Sequence, residues 1–352
     1  MSTQITSAKA SDSWTREKLA RRRAELEESA AYRNYLTVRD RVLSMNEARP
    51  SDAWAEPSAY WREELSNLEF MFDASPLVID KLRHHTSHVT GLRVYDYRSQ
   101  KVGARDRFEE KLEALRKRGG DELLVPESPL LGGFGFEIDG ALYNIDTLKF
   151  YEVLQALRQG SVLDEFLGGE RRLVWEIGAG WGGFAYQFKT ICPGATYVIT
   201  DLPELFLFSG TYLMTVMPGA RTLFYGDVPD EALFEHWEEY DFILLPHTAL
   251  RQLRPPRLDL ALNMVSFQEM TTAQVRHYVR KAHELECPFL YSLNRDRSPY
   301  NVELGSVRDI INEFYWLHEI SMLPVSYQKM LNDVPTETDY RHVVGWRRVE
   351  TR

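Results

Sequence analysis

In Val174-Trp175-Glu176-Ile177-Gly178-Ala179-Gly180-Trp181-Gly182-Gly183 an apolar run ends in an acidic residue and passes directly into a glycine-rich turn. Such text describes a buried strand feeding a helix, with glycines where the backbone turns tightly and a ligand can approach closely. Backbone N–H groups at the start of the following helix then face the space above the turn.

Outward from this stretch toward the C-terminus, short apolar runs alternate with helical text. Residues 173–178, 196–201, 258–263 and 289–294 read as strands, and 203–217 and 271–285 as crossover helices. This alternation predicts an α/β fold with a doubly wound, mostly parallel sheet. Segments 221–226 and 241–247 compete for the third strand, and sequence alone does not separate them. The closing segments 316–322 and 340–346 predict an antiparallel pair at the sheet edge.

Toward the N-terminus the text changes character. Residues 1–13 are small and polar and are expected to form a disordered tail, and 14–125 read as a mainly helical domain. Within it Arg21-Arg22-Arg23 is followed by Glu25, Glu27 and Glu28, the composition of a solvated helix face. Helical text at 105–118 stops at Gly119-Gly120. Residues 126–170 read as a connection: a hairpin turning at Asp139-Gly140, then a helix from Thr147 to Gln159. The remaining 171–352 read as the α/β domain that carries the glycine-rich turn.

Composition narrows the class of function. The net charge of −10 over 352 residues, with no long Lys/Arg run, argues against nucleic acid as a partner. Cys192 and Cys287 are far apart and in no CxxC pair, so zinc ribbons and disulfide frameworks are not expected and a reducing cytoplasm is. The text MSTQITSAKASDSW carries no export signal, and no apolar run reaches the roughly 18 residues of a membrane span.

A GxGxG pattern by itself is a weak signal; its context is stronger. Asp201 closes the next strand, where a dinucleotide-type fold places a carboxylate to accept from the ribose hydroxyls. Its alternative role is capping the turn before Leu202-Pro203, and the two are compatible. Glu176 at the strand end suits a positively charged ligand portion and would repel a pyrophosphate, and the loop is GxGxG where a dehydrogenase wants GxGxxG. These features favour S-adenosylmethionine over a nicotinamide dinucleotide, leaving an NAD-dependent oxidoreductase as the runner-up and a non-catalytic nucleotide-fold module as a third reading. Glu176, Gly178, Ala179, Gly180, Trp181, Gly182, Asp201, Leu202, Gly226, Asp227 and Asn263 are the expected cofactor residues.

Five segments carry a resemblance: HHTSHVTG (84–91), GGFGFEIDGALYNIDT (132–147), EIGAGWGGFAYQFK (176–189), YVITDLPE (197–204) and NMVSFQEM (263–270). Together they resemble the sugar O-methyltransferase family of class I S-adenosylmethionine-dependent enzymes, over about residues 84–300. Trp181 departs from it, standing where that family more often has Tyr. The resemblance implies a small-molecule acceptor such as a sugar, glycoside or natural-product intermediate. It also implies that His84, His85 and His88 shape the acceptor pocket from the N-terminal region. A homodimer is a further expectation.

Methyl transfer to a hydroxyl needs alignment and a group to take the proton. The ordered candidates are Glu269, His247 and His88. Glu269 has an alternative role in capping the helix that begins near Thr271. Tyr143, Ser266, Gln268 and Asn294, with His84 and His85, are the expected acceptor-binding residues; Asn144 and Asp146 beside Tyr143 read either as lining the cofactor or acceptor site or, like Tyr143, as hairpin and cap chemistry. Arg295 and Arg297 read either as partners for an anionic acceptor group or as exposed arginines. His84 and His88, spaced i, i+4, share a face on a continuous helix, but no third ligand follows and no metal is expected. N- or C-methylation of a small acceptor stays open beside O-methylation.

Overall fold

Thr15 and Ser29 each begin a helix by accepting a backbone N–H at the third position onward, so the region from Trp14 to Met45 divides into α1 (Arg16–Glu27) and α2 (Ala30–Glu47). The computed structural model describes residues 14–48, 56–98, 102–297, 301–322 and 340–349; the tail expected at 1–13 lies outside them. Five more helices follow: α3 (Ala59–Ser66), α4 (Pro76–Ile79), α5 (Leu82–His85), α6 (Ser87–Thr90) and α7 (Val102–Arg116). The expected hairpin is β1 (Phe136–Ile138) with β2 (Ala141–Tyr143), turning through Asp139 and Gly140, both at positive φ. Asn144 and Thr147 then cap α8 (Ile145–Gln159) reciprocally. The short α9 (Asp164–Leu167) leads into the sheet.

The sheet and its helices follow as β3 (Arg172–Ile177), α10 (Gly183–Ile191), β4 (Ala195–Asp201), α11 (Phe206–Val216), β5 (Thr222–Phe224), β6 (Phe242–Pro246), β7 (Leu260–Met264), α12 (Thr272–Glu284), β8 (Phe289–Asn294), α13 (Val307–Asn312), β9 (Tyr315–Ile320) and β10 (Arg341–Arg347). The strand order is β5-β6-β4-β3-β7-β8-β10-β9. From β5 to β8 neighbours are parallel; β10 is antiparallel to both β8 and β9. This is the doubly wound, mostly parallel α/β sheet that the sequence predicts. Both contenders for the third strand are strands: 242–246 lies beside β4, and 222–224 lies one place further out.

Alternation along β3 divides the interior. Leu173, Trp175 and Ile177 pack with Val198, Ile243 and Ala261 on one face. Val174 faces the other way with Tyr197, Ile199 and Leu262, in a core that continues into Tyr35, Val38 and Val42 of α2 and Phe108 and Leu112 of α7. The N-terminal helices therefore share a continuous core with the sheet. At the α2–α11 contact Gly210 admits Val38, whose Cγ atoms lie 3.2 Å from where a Cβ on Gly210 would stand. Val38 is fully buried, a contribution of about 1.5–3 kcal/mol. Among the described residues no helix is long and apolar enough to cross a membrane.

Winding runs outward from β3 through β4 and β6 on one side and through β7 and β8 on the other. The crevice of such a sheet lies beyond the C-terminal ends of the strands at this switch point.

Candidate functional site

A cavity of about 530 Å³ occupies that crevice. Its floor is the turn after β3, with Glu176, Gly178, Ala179, Gly180 and Trp181, flanked by Asp201 and Leu202 after β4 and His247 after β6. Ser266, Gln268 and Glu269 after β7 form another wall. The N-terminal region supplies Ser58, Tyr60, Trp61 and Glu64 from α3 and its approach, and His88, Val89 and Thr90 from α6. Lys149 from α8, Arg295 after β8 and Tyr340 before β10 also line it.

The turn is built on left-handed backbone. Gly178 has φ +73° and Gly180 φ +58°. A Cβ on Gly178 would stand 2.2 Å from Ser266 Oγ, and one on Gly180 2.9 Å from Val89 Cγ1. Sequence reading assigns the glycines to close approach of a ligand; at these two positions the close neighbours are the protein's own walls. Asp201 holds the turn in place, its Oδ2 accepting the Gly180 N–H at 2.9 Å and its Oδ1 the Leu202 N–H at 2.8 Å. Asn263 braces it from β7, donating to Ile177 O at 2.7 Å while its Oδ1 accepts from Phe267 N and Asn294 Nδ2.

Three carboxylates set the electrostatics, Glu176 and Asp201 buried and Glu269 half-buried at the cavity wall. Glu176 shares the Val174 face of β3, accepts the Tyr197 hydroxyl at 2.9 Å, and is pushed by burial up to about 8. Asp201 is raised to about 7 by burial, which outweighs the backbone N–H groups it accepts. Glu269 is raised to about 8, again by burial, against the pull of the Trp61 indole that donates to it. The helix-capping alternative for Glu269 does not hold. Thr271 is the cap of α12, in a reciprocal box with Gln274, and the Glu269 side chain is left to the cavity. Ser58 Oγ donates to the Glu269 carbonyl at 2.6 Å, tying α3 to this wall.

Behind the turn lies a buried charge cluster. The Arg83 side chain is fully buried, bonded to Glu127 Oε1 at 2.6 Å and stacked 3.4 Å from the Trp181 ring centroid. Trp181 Nε1 donates to Asp146 Oδ2 at 3.1 Å, and Lys149 pairs with Asp146 at 3.0 Å. Asn144 donates to Glu127 Oε2 at 3.0 Å. The segments near 83–91, 127–147 and 176–189 therefore meet in one network.

Several expected site residues lie elsewhere. Gly226 and Asp227 do not line the cavity, because β6 takes the place beside β4 and moves β5 one strand spacing, roughly 4.8 Å, outward. Asp227 instead accepts the Phe224 N–H and pairs with Arg41 at 2.5 Å. Gly182, Asn263 and Asn294 lie one layer behind the wall. Tyr143 is buried in the hairpin opposite Phe136, so the hairpin reading describes it. His84 and His88 do not share one helix, since the chain breaks at Thr86 between α5 and α6. His84 stands against Phe134, whereas His85 and His88 both flank Phe70, and of the three His88 lines the cavity. Among the described residues no group of three His, Cys, Asp or Glu is placed to hold a metal. Tyr60, Trp61, Glu64 and Lys149 are wall residues that sequence reading does not select. Their segments read as ordinary amphipathic helix, and no motif separates a wall residue from a core one there.

No protein-family model matches the chain, and no curated protein matches its sequence. Solved structures do resemble it. The bifunctional kinase-methyltransferase WbdD is 12% identical, over 57% of this chain and 38% of that one, with a TM-score of 0.38. Magnesium protoporphyrin IX methyltransferase ChlM from Synechocystis PCC 6803, solved with bound S-adenosylmethionine, is 14% identical over 60% and 87%, with a TM-score of 0.35. N-methyltransferase NodS from Bradyrhizobium japonicum WM9 is 13% identical over 55% and 96%, with a TM-score of 0.34. The match spans about two fifths of the length of WbdD.

Proposed function

We propose that this chain is an S-adenosylmethionine-dependent methyltransferase acting on a hydroxyl of a small acceptor. One observation carries the reading: a left-handed glycine turn at the switch point of a doubly wound sheet opens on a cavity lined by Glu176, Asp201 and Glu269. The donor chemistry fits a ligand with an ammonium and a sulfonium, because ionised carboxylates at Glu176 and Asp201 are stabilised by cations and would repel a pyrophosphate. The bound cofactor supplies a methyl group activated on sulfur.

The rest is done by the chain. Glu176 and the turn backbone receive the ammonium end, and Lys149 suits the adjoining carboxylate. Asp201 has lone-pair capacity beyond that spent on the backbone of Ala179, Gly180 and Leu202 and accepts from the ribose. Leu202 gives an apolar surface beside the adenine. The N-terminal wall of Tyr60, Trp61 and His88 covers the crevice, orienting the acceptor and excluding water. Glu269, held by Trp61, takes the hydroxyl proton, and His247 is the second candidate. A sugar or glycoside is the acceptor class that the sequence resemblance favours.

Calorimetry on the full chain tests the reading: saturable binding of S-adenosylmethionine or S-adenosylhomocysteine is expected, and none of NAD. Saturable NAD binding without S-adenosylhomocysteine binding would overturn it.

A further inference from the structure

Arg295 directly follows β8 and is only 7% exposed, which removes the exposed-arginine reading for it, while Arg297 is exposed. Its backbone N–H is given to Gln268 Oε1 at 3.2 Å. The guanidinium is less well served. Its Cζ lies 4.7 Å from the Tyr340 ring centroid, and its Nε is buried without a hydrogen-bond acceptor. Among the described residues no carboxylate lies within ion-pair distance of it. Lys149, which lines the same cavity, is by contrast paired with Asp146. A stacked ring offsets part of the cost of burying a cation but leaves its N–H groups unmet. Buried charges in folded chains are paired or held for a ligand.

We propose that Arg295 receives a carboxylate on the acceptor, so that the substrate is a hydroxylated carboxylic acid. The planar guanidinium fork matches a carboxylate in geometry. One cation supplies one compensating charge, and Glu64 and Glu269 line the same cavity, so the second charge of a phosphate is disfavoured. Gln268 links the two functions. Its side chain holds the Arg295 backbone, and the next residue along the wall is Glu269. An acid anchored at Arg295 therefore presents its hydroxyl along the wall that carries the base. That the bound acid is the methyl acceptor rests on the methyltransferase reading; the anion site itself does not.

Thermal unfolding of the full chain tests the site, with S-adenosylhomocysteine in excess to fill the Lys149 side, and with acetate, phosphate or chloride at matched ionic strength. Acetate is expected to raise the wild-type midpoint saturably. In Arg295→Met the half-saturating acetate concentration should rise roughly ten- to a hundredfold, the worth of charge-assisted hydrogen bonds. In chloride that variant should unfold at the wild-type temperature or above, since an unpaired buried charge has gone. Arg295→Lys should keep a saturable acetate response at weaker affinity. The proposal is overturned if Arg295→Met is destabilised in chloride, if acetate stabilises both proteins alike, or if phosphate acts at lower concentration than acetate. A separate titration with S-adenosylhomocysteine keeps the claims apart: a wild type that does not bind it defeats the methyltransferase reading, while the acetate comparison still judges Arg295.

Discussion

A carboxyl group titrating near neutrality is a useful base, because it is ionised often enough to act and basic enough to hold the proton it takes. Glu269, at about 8, meets this condition through its surroundings: burial raises it, and the Trp61 indole limits the rise. The ratio kcat/KM for S-adenosylmethionine, which follows the free enzyme, should therefore climb with pH up to about 8 and level off above it. Glu269→Gln keeps the shape and the contact with Trp61 but cannot accept a proton. It should lower kcat roughly 100- to 10,000-fold while S-adenosylhomocysteine affinity stays near wild type. Full turnover in a folded Glu269→Gln protein would move the base to His247, which is buried at the end of β6, three strand places from β7.

The turn after β3 gains its shape from elements that are distant in sequence. Gly180 faces Val89 of α6, and Gly178 faces Ser266 beyond β7, so the turn is clasped between the N-terminal helices and the sheet. Gly180→Ala adds a Cβ 2.9 Å from Val89 Cγ1 on backbone at φ +58°. Cofactor affinity should fall, and adding Val89→Ala should restore much of it, leaving about 1 kcal/mol for the left-handed conformation. If the second substitution restores nothing, the glycine answers to the ligand and not to α6. This contact also shows what a sequence conveys. Strands β3, β4, β7 and β8 were legible because buried parallel strands are nearly continuous apolar runs, and the glycine turn was legible because left-handed backbone selects a residue type. Gly226-Asp227 was misplaced because strand order is a tertiary property, and either candidate strand satisfies the local pattern. Trp61, Lys149 and Arg83 gave no signal, since a helix conveys which face is apolar and not what that face meets. Asp146 reads in sequence either as a site residue or as cap chemistry ahead of the helix, and nothing in the local pattern shows that it ties Trp181 to Lys149.

Across the whole molecule, three acids held in protonated form make folding and ligand binding respond to pH together. Glu176 and Glu269 titrate near 8 and Asp201 near 7 in the folded chain, whereas in the unfolded chain they ionise in the usual carboxylate range. Between the two ranges the folded state binds more protons than the unfolded one. Stability of the free protein should accordingly fall as pH rises toward about 8 and lose nothing further from these groups above it. A ligand bearing an ammonium and a sulfonium favours the ionised forms, so its binding should release protons and strengthen as pH rises from about 6 to about 8.5. The two trends oppose each other: the unfolding temperature of the free protein declines over this interval, while the rise produced by saturating S-adenosylmethionine grows. Calorimetric titration in two buffers of different ionisation enthalpy reads the proton release directly, and melting curves with and without ligand read the opposed trends. Identical binding enthalpies in the two buffers, with affinity flat across the interval, would mean that these carboxylates do not face the ligand's positive charge. S-adenosylhomocysteine keeps the ammonium and lacks the sulfonium, so its proton release should be the smaller of the two. The difference between the ligands isolates the acids nearest the reacting methyl group from those at the amino-acid end.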